Sequence, residues 1–388
     1  MSGVRFGRVL ALAAATSLAL AGCAGGSSSS GSGDSSTLKI GFMGDLTGEN
    51  SGIVIPPNNG AKLAIDEYNA TNPSVKLELK NYDSQGKPEQ ATSLVQTAIG
   101  TDKITALIGP AFSGESKAVG GVLEQGKVPS VSPSATNPGL AANGWKYWHR
   151  VVANDNDQGP GIANFLITAK SPKNAYVLSD DQEYSVGLAD AFEKTFKDKS
   201  IPTQRDKFAK DASDYSSTVQ KVKAANPDVI TYGGYYAQAG RLLKQLRDGG
   251  VKAVFATGDG SLDPQLVSGA GAAAAEGAVV GCPCNIPDAG APGNEFATKY
   301  KAKFNVDPAI YATEGYDAAT AIINAVKAGN TTGEKINDFL KTEDFKGASK
   351  QIKFKDNGEP QTNAIYVYQV VGGVIKNLGA STEAKITG

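Results

Sequence analysis

The stretch Gly109-Pro110-Ala111-Phe112-Ser113-Gly114-Glu115-Ser116 carries more chemical information than any other part of the chain. It has the spacing of a phosphate-binding GxxxxGK[ST] loop, but Glu115 stands where that loop needs lysine. A carboxylate there repels a triphosphate, so nucleotide binding is not expected. What remains is the geometry of a smaller anion site, in which N–H groups at a helix start and the Ser113 hydroxyl suit a single carboxylate. Ser113 as a simple helix N-cap is the competing assignment, and the sequence leaves both open. Ser132-Pro133-Ser134-Ala135-Thr136-Asn137-Pro138 is a second loop of this kind. It either converges with the first on one anionic group or is an ordinary proline-stiffened connection. Gly233-Gly234-Tyr235-Tyr236 and Gly258-Asp259-Gly260-Ser261 are two more. Glycine on both sides of Asp259 leaves its carboxylate unshielded and able to pair with an ammonium group, although a lone loop aspartate is more often a turn residue.

Composition narrows the chemistry. One histidine, His149, and three cysteines leave no His/Cys cluster for zinc or a catalytic metal. Ser-His-Asp chemistry would rest on His149 alone, which sits in the aromatic run 145–150 as a packed or surface residue rather than a base. Gly258-Asp259-Gly260-Ser261 is not the GxSxG nucleophile elbow. Lys and Arg number 38 against 39 Asp and Glu, so no basic surface is left to track nucleic acid. No cofactor and no metal are expected.

These loops need a scaffold that ends strands beside one another. From residue 38 the chain alternates apolar runs with amphipathic helical patterns, the signature of βα units. Strands are expected at 38–43, 75–79, 104–108 and 128–131. Helices are expected at 58–69, where Ala61, Ala64, Ile65 and Tyr68 share helical spacing, at 88–100 after Pro88, and at 114–125. Asn154-Asp155-Asn156-Asp157 reads as a turn-rich break. A second series follows, with strands at 175–178, 229–232, 253–256 and 278–280 and helices at 184–196, 215–225 and 237–247. Helices at 294–304 and 311–328 and a hairpin-like alternation over 352–376 close the chain. The expected fold class is α/β, two doubly wound lobes. Its 388 residues suit two to three domains at about 150 residues each, and each loop singled out above follows a strand, where open α/β sheets bind ligands.

The first 22 residues are an address rather than structure. Arg5 and Arg8 precede an apolar run over 9–21 that contains no acid, and at about a dozen residues it is shorter than the ~20 a membrane span needs. Leu20-Ala21-Gly22-Cys23 resembles the bacterial lipobox, with cleavage before Cys23 and a lipid on its thiol. The Gly/Ser-rich segment to residue 37 is a flexible tether with a reach of roughly 20 Å.

Several motifs in order resemble the leucine/isoleucine/valine-binding receptors of ABC importers, the type I periplasmic binding proteins. They are Ile40-Gly41, Gly48, Gly60-Ala61, Tyr82-Asp83, Ile108-Gly109, the Ser132 to Thr136 loop, Asp157-Gln158-Gly159-Pro160, Tyr184 with Gly187-Leu188-Ala189, and Tyr232-Gly233-Gly234-Tyr235. The resemblance runs from about residue 38 to 368. It implies a lobe of residues 38–153 and 283–359 and another of 154–282 and 360–388, with about three crossovers near Ala153, Cys282 and Pro360 as hinges. It implies that Ser113 and Thr136 hold a ligand carboxylate. The backbone carbonyl of Ser134, with Ala135 beside it, the Thr136 hydroxyl and Asp259 then take an ammonium group. The family carries glutamate at the last position, so Asp259 reaches one methylene less. Ile53, Phe112, Tyr184, Tyr235 and Tyr311 match the side-chain pocket.

The implied protein is an exported, lipid-anchored monomer with no active-site chemistry, capturing a branched-chain or other aliphatic amino acid for an ABC permease. A sensor subunit, a receptor for a short amide, urea or carboxylate, and an exported α/β enzyme are the alternatives. Cys282 and Cys284 fall at a crossover. Their even number and an oxidising compartment favour a bridge, whereas extended residues two apart hold their Cα atoms about 6.5 to 7 Å apart, at the limit of disulfide reach.

Overall fold

The computed structural model describes residues 36–288 and 294–387. The signal segment, Cys23 and most of the tether lie outside the described residues. The first lobe is built on β1 (Ser36–Gly44), α1 (Ile55–Ala70), β2 (Val75–Asp83), α2 (Pro88–Thr97), β3 (Ala106–Ile108), α3 (Ser113–Gly126), β4 (Ser130–Ser132) and β5 (Trp148–Arg150). Its five strands pair in parallel in the order β2-β1-β3-β4-β5. β3, β4 and β5 are only three residues long and wholly buried, as strands covered on both faces must be.

The second lobe runs through α4 (Asp155–Lys170), β6 (Ala175–Ser179), α5 (Glu183–Asp198), β7 (Thr203–Lys207), α6 (Ser216–Ala225), β8 (Val229–Gly233), α7 (Tyr236–Asp248), β9 (Val254–Thr257), α8 (Pro264–Ala270), α9 (Ala272–Ala275) and β10 (Val279–Cys282). The chain then returns to the first lobe with α10 (Glu295–Phe304), α11 (Ala312–Lys327), α12 (Gly333–Leu340) and the ribbon of β11 (Asp344–Lys346) and β12 (Gln351–Lys353). It crosses back to finish the second sheet with β13 (Tyr366–Val371) and β14 (Val374–Ala380). That sheet has the order β14-β13-β10-β9-β8-β6-β7, with β13 and β14 antiparallel on an otherwise parallel core. The architecture is the expected one: α/β, two doubly wound lobes, three crossings. Among the described residues no helix is long and apolar enough to cross a membrane.

Two expectations need correction, and one open question is settled. Asn154 to Asp157 is not a break but the start of α4: Asn154 is its N-cap, accepting from the Asn156 N–H at 2.8 Å, and Asp155 and Asp157 sit in its first turn. Asn and Asp serve turns and helix caps alike, and Gly159, Pro160 and Gly161 obscure the helical pattern that follows. The tail hairpin is β13–β14, turning at Gly372-Gly373, where both φ values are positive. Ile352 belongs instead to the β11–β12 ribbon, opposite Phe345. Cys282 and Cys284 are joined by a disulfide, with Cα atoms 5.0 Å apart; the backbone bends at Pro283 instead of staying extended. The Tyr368 hydroxyl donates to the Cys284 carbonyl at 3.2 Å and accepts from the Ile286 N–H at 3.0 Å, holding this crossing against β13.

Packing of α1 on α11 positions the residue that caps α11, Tyr311. The two helices meet through glycines. A Cβ on Gly60 would lie 2.0 Å from the Ala312 carbonyl oxygen, and one on Gly315 would lie 2.0 Å from that of Pro57. Gly60→Ala should therefore force the helices apart and destabilise the first lobe by about 1 to 3 kcal/mol, the usual cost of overpacking. An unchanged midpoint in urea denaturation would contradict this account of the helix contact.

Candidate functional site

Six strand ends supply the site. β1, β3 and β4 of the first lobe and β6, β8 and β9 of the second all direct their carboxyl-terminal loops toward the line where the lobes meet, the place where open α/β sheets take ligands. Within the first lobe, the β3 and β4 loops are stitched together. Ser132 Oγ donates to the Pro110 carbonyl at 2.7 Å and accepts from the Ala135 N–H at 3.0 Å, while Ser134 Oγ donates to the Ala111 carbonyl at 2.8 Å. Ser113 Oγ accepts from the Asn137 N–H at 3.2 Å. The two serine-bearing loops therefore converge.

Ser113 is not the N-cap of α3. That position belongs to Phe112, and the helix start is closed by Glu115, which accepts from the Phe112 N–H at 3.1 Å and from the Ser84 hydroxyl. Burial pushes the Glu115 carboxyl up to about 7. This glutamate, placed where a lysine would bind phosphate, is thus an internal brace of the loop. His149 is buried against the edge of Phe354, with ring centroids 5.1 Å apart, and burial lowers it to about 4. It is a core residue.

Asp259 is not unshielded, as its flanking glycines suggest. It is 4% exposed and accepts three side-chain hydrogen bonds: from Tyr311 Oη at 2.7 Å, Gln158 Nε2 at 2.7 Å and Tyr184 Oη at 2.9 Å. The glycines serve packing. A Cβ on Gly258 would meet Leu188 at 2.4 Å, and one on Gly260 would meet Tyr184 at 2.7 Å. Gln158 also donates to Asp155 Oδ1 at 2.9 Å, so one amide nitrogen bridges two buried carboxylates. Among the described residues neither carboxylate is hydrogen-bonded to a lysine or arginine. Desolvation first, and then the charge of Asp259, push Asp155 up to about 8. Asp259 is raised by burial against the pull of its three donors.

Opposite this pair stands Thr136, 1% exposed, whose carbonyl accepts from the Asp155 N–H at 3.0 Å. Thr136 Oγ1 and Asp155 Oδ2 are both buried and meet no partner within hydrogen-bond geometry, although the hydroxyl lies near enough to ease Asp155 ionisation. Phe112, Tyr235 and Tyr184 form an aromatic wall beside them, with centroids 4.7 Å and 5.1 Å apart in sequence. Tyr311 holds its hydroxyl on Asp259 from a left-handed backbone, φ 60°, a conformation that is costly for a bulky residue and clusters at functional sites. Ile53 is buried in the same apolar core, at the end of a short turn. The lobes touch around this centre: Arg241 pairs with Glu49 at 2.6 Å and Lys117 with Glu183 at 2.8 Å. Tyr236 Oη donates to the Glu49 carbonyl at 2.8 Å.

Residues 37–374 match the family model described as periplasmic binding protein. The chain belongs to the periplasmic binding protein family. It is similar to the leucine-, isoleucine-, valine-, threonine- and alanine-binding protein of Pseudomonas aeruginosa, with 28% identity over 339 residues, covering 86% of this chain and 90% of that one. Among solved structures, the leucine-binding protein LivK of Thermotoga maritima superposes with a TM-score of 0.82 at 30% identity, covering 88% of this chain and 98% of the other. LivJ of Streptococcus pneumoniae, in complex with isoleucine, gives 0.80 at 27% identity, covering 88% and 99%. A periplasmic binding protein holds a solute outside the cytoplasm and is not an enzyme.

In this periplasmic binding protein the sequence singled out Asp259 but not its neighbours Asp155 and Gln158 as a site. The available signal was an N-cap asparagine followed by an acid at the first helical position and an amide three residues later, which places both side chains on one face of α4.

Burial keeps a proton on Asp155 in the folded chain to about pH 8, whereas its ordinary value is 3.8. Between these values the native state binds more protons than the unfolded state, so stability falls as pH rises from about 4 to 8. Glu115 contributes with the same sign up to about 7. Asp155→Asn should flatten this decline in urea unfolding at pH 5 and 8; an unaltered slope would show that Asp155 does not hold the proton.

Proposed function

We propose that this protein captures an aliphatic α-amino acid, branched-chain by preference, between its two lobes and delivers it to the permease of an ABC importer. The observation that carries this reading is the Asp155–Asp259 pair: two buried carboxylates bridged by one amide. Two like charges out of water are unfavourable, so Asp155 holds its proton until a cation arrives, and an ammonium group between the carboxyls and the Thr136 hydroxyl lets both ionise. The start of α3 lies on the far side, where backbone N–H groups and the Ser113 hydroxyl receive the ligand carboxylate. Ser134 and Ala135 frame the intervening backbone. Phe112, Tyr184 and Tyr235, with Ile53 and Tyr311, supply the apolar surround for the side chain, and a cavity of about 430 Å³ on the outer side of that aromatic wall is bordered also by Lys117, Asp181, Glu183 and Lys210. The ligands of the relatives named above, leucine and isoleucine among them, support the same class.

In this reading the lobes comprise residues 38–153 with 283–359, and 154–282 with 360–388. Ligand held on the first lobe gains Asp259 only when the second swings in, which is the differential affinity that hinge closure requires. The closed monomer is what the permease recognises. Cleavage after Gly22 and a lipid on Cys23 hold it at the outer face of the membrane, within the reach of its Gly/Ser tether.

Asp259→Ala should weaken L-leucine binding by about 2 to 4 kcal/mol, the cost of removing one partner from a buried charge pair. Titration calorimetry of wild type and variant against leucine, isoleucine and valine measures it. Wild-type affinity in the variant, or no binding of any α-amino acid by the wild type, would overturn the assignment. Cys23→Ser should move the expressed protein from the membrane to the soluble fraction, and equal partitioning of the two forms would exclude the lipid anchor.

A further inference from the structure

Arg150, the last residue of β5, has no exposed surface. All of its reach is committed. Nη1 donates to the Ala135 carbonyl at 2.8 Å and to the Asn137 carbonyl at 3.0 Å. Nε donates to Glu359 at 3.1 Å and Nη2 pairs with the other oxygen of the same carboxylate. Its guanidinium carbon stands 4.9 Å from the centroid of the Trp148 ring. Its own backbone N–H donates to the Gly358 carbonyl at 3.0 Å, and Glu359 accepts in addition from Asn154 Nδ2 at 3.1 Å.

The segments joined here are not neighbours in sequence. Ala135 and Asn137 flank Thr136; Asn154 is the N-cap of α4, in the first crossing; Gly358 and Glu359 lie between β12 and β13, in the last crossing. A strand end packed in a core has no need of a charge, and an apolar side chain of similar volume commonly serves as well as a buried ion pair. What an apolar residue cannot do is hold two backbone carbonyls and a carboxylate in fixed directions at once. The planar fork of arginine can.

We propose that Arg150 is a positioning residue for ligand capture, fixing the Thr136 loop through the carbonyls on either side of it and tying that loop to two of the three crossings through Glu359 and Asn154. Threonine placement and lobe closure then become one event, because the side chain that sets the first is bonded to the segments that move in the second. The ligand half of this inference rests on the amino-acid reading above; the loop half does not.

The test uses the mature protein with Arg150→Lys, which keeps the charge and can still meet Glu359 but cannot serve both carbonyls as well, and Thr136→Val. Hydrogen exchange on the ligand-free proteins comes first. In Arg150→Lys the Asn137 and Asp155 amides, which donate to Ser113 Oγ and the Thr136 carbonyl, should lose protection while amides of the β1–β3 pairing keep theirs. Unchanged protection at 137 and 155 would overturn the proposal whether or not any amino acid binds. With L-leucine as probe, Arg150→Lys should bind at least tenfold more weakly, and adding Thr136→Val to it should cost less than the same change costs in the wild type. Independent sites add, so additive losses would reduce Arg150 to a structural role. Wild type that binds no amino acid would defeat the amino-acid reading and with it the ligand half, leaving exchange to decide the loop half.

Discussion

Two carboxylates buried against one shared amide are the constraint around which the site is built. Asp155 and Asp259 reach each other from different parts of the chain, one at the start of α4 and one in the turn after β9, with Gln158 donating to both. Like charges removed from water repel and lose hydration together. The surroundings moderate that cost without cancelling it. Three donors serve Asp259, burial holds a proton on Asp155, and the Arg150 guanidinium, whose charge eases Asp155 ionisation, is already paired with Glu359. Both carboxyls therefore stand above their ordinary range at the junction of the lobes, and the proposed ammonium ligand would supply the positive charge that eases their ionisation.

The demand is matched by how the neighbouring elements are held. Tyr311 reaches Asp259 from a left-handed backbone at the cap of α11, and α11 is seated on α1 through two glycines that allow the helices to touch backbone to backbone. Tyr184 bonds to Asp259 and accepts from the Gly260 N–H at 3.0 Å, so the ring and the turn fix each other. The crossings are braced in different ways: Arg150, Glu359 and Asn154 link the first and the last, while the middle one is bent by Cys282-Pro283-Cys284 and held by Tyr368. In the proposed capture of a ligand these crossings are the segments at which hinge closure takes place.

Much of this was legible in the sequence, and the reasons are specific. The βα alternation is written in local hydrophobic periods, so both lobes could be read along with the loops that follow their strands. Ser113, Thr136 and Asp259 stood out because glycine, proline and serine collect where strand ends meet. Asp155 did not, since Asn-Asp-Asn-Asp followed by Gln-Gly-Pro-Gly has the composition of a turn as well as of a helix start. β7, with the polar sequence Thr203 to Lys207, was hidden for a related reason: an edge strand carries little of the apolar signal that marks a central one.

Taken alone, the sequence determined the fold class and marked the loops that follow its strands, because each depends on residue type and on spacing within a few positions. Only the tertiary structure decided that Ser113 bonds across to the Asn137 amide instead of capping its helix, that Glu115 braces the loop in which it stands, and that Asp259 faces a second acid. Nor could spacing place Arg150 on Glu359, more than 200 residues away. Hydrogen bonds and charges act through distance in space, and where the lobes meet that distance is set by crossings whose geometry no local pattern records.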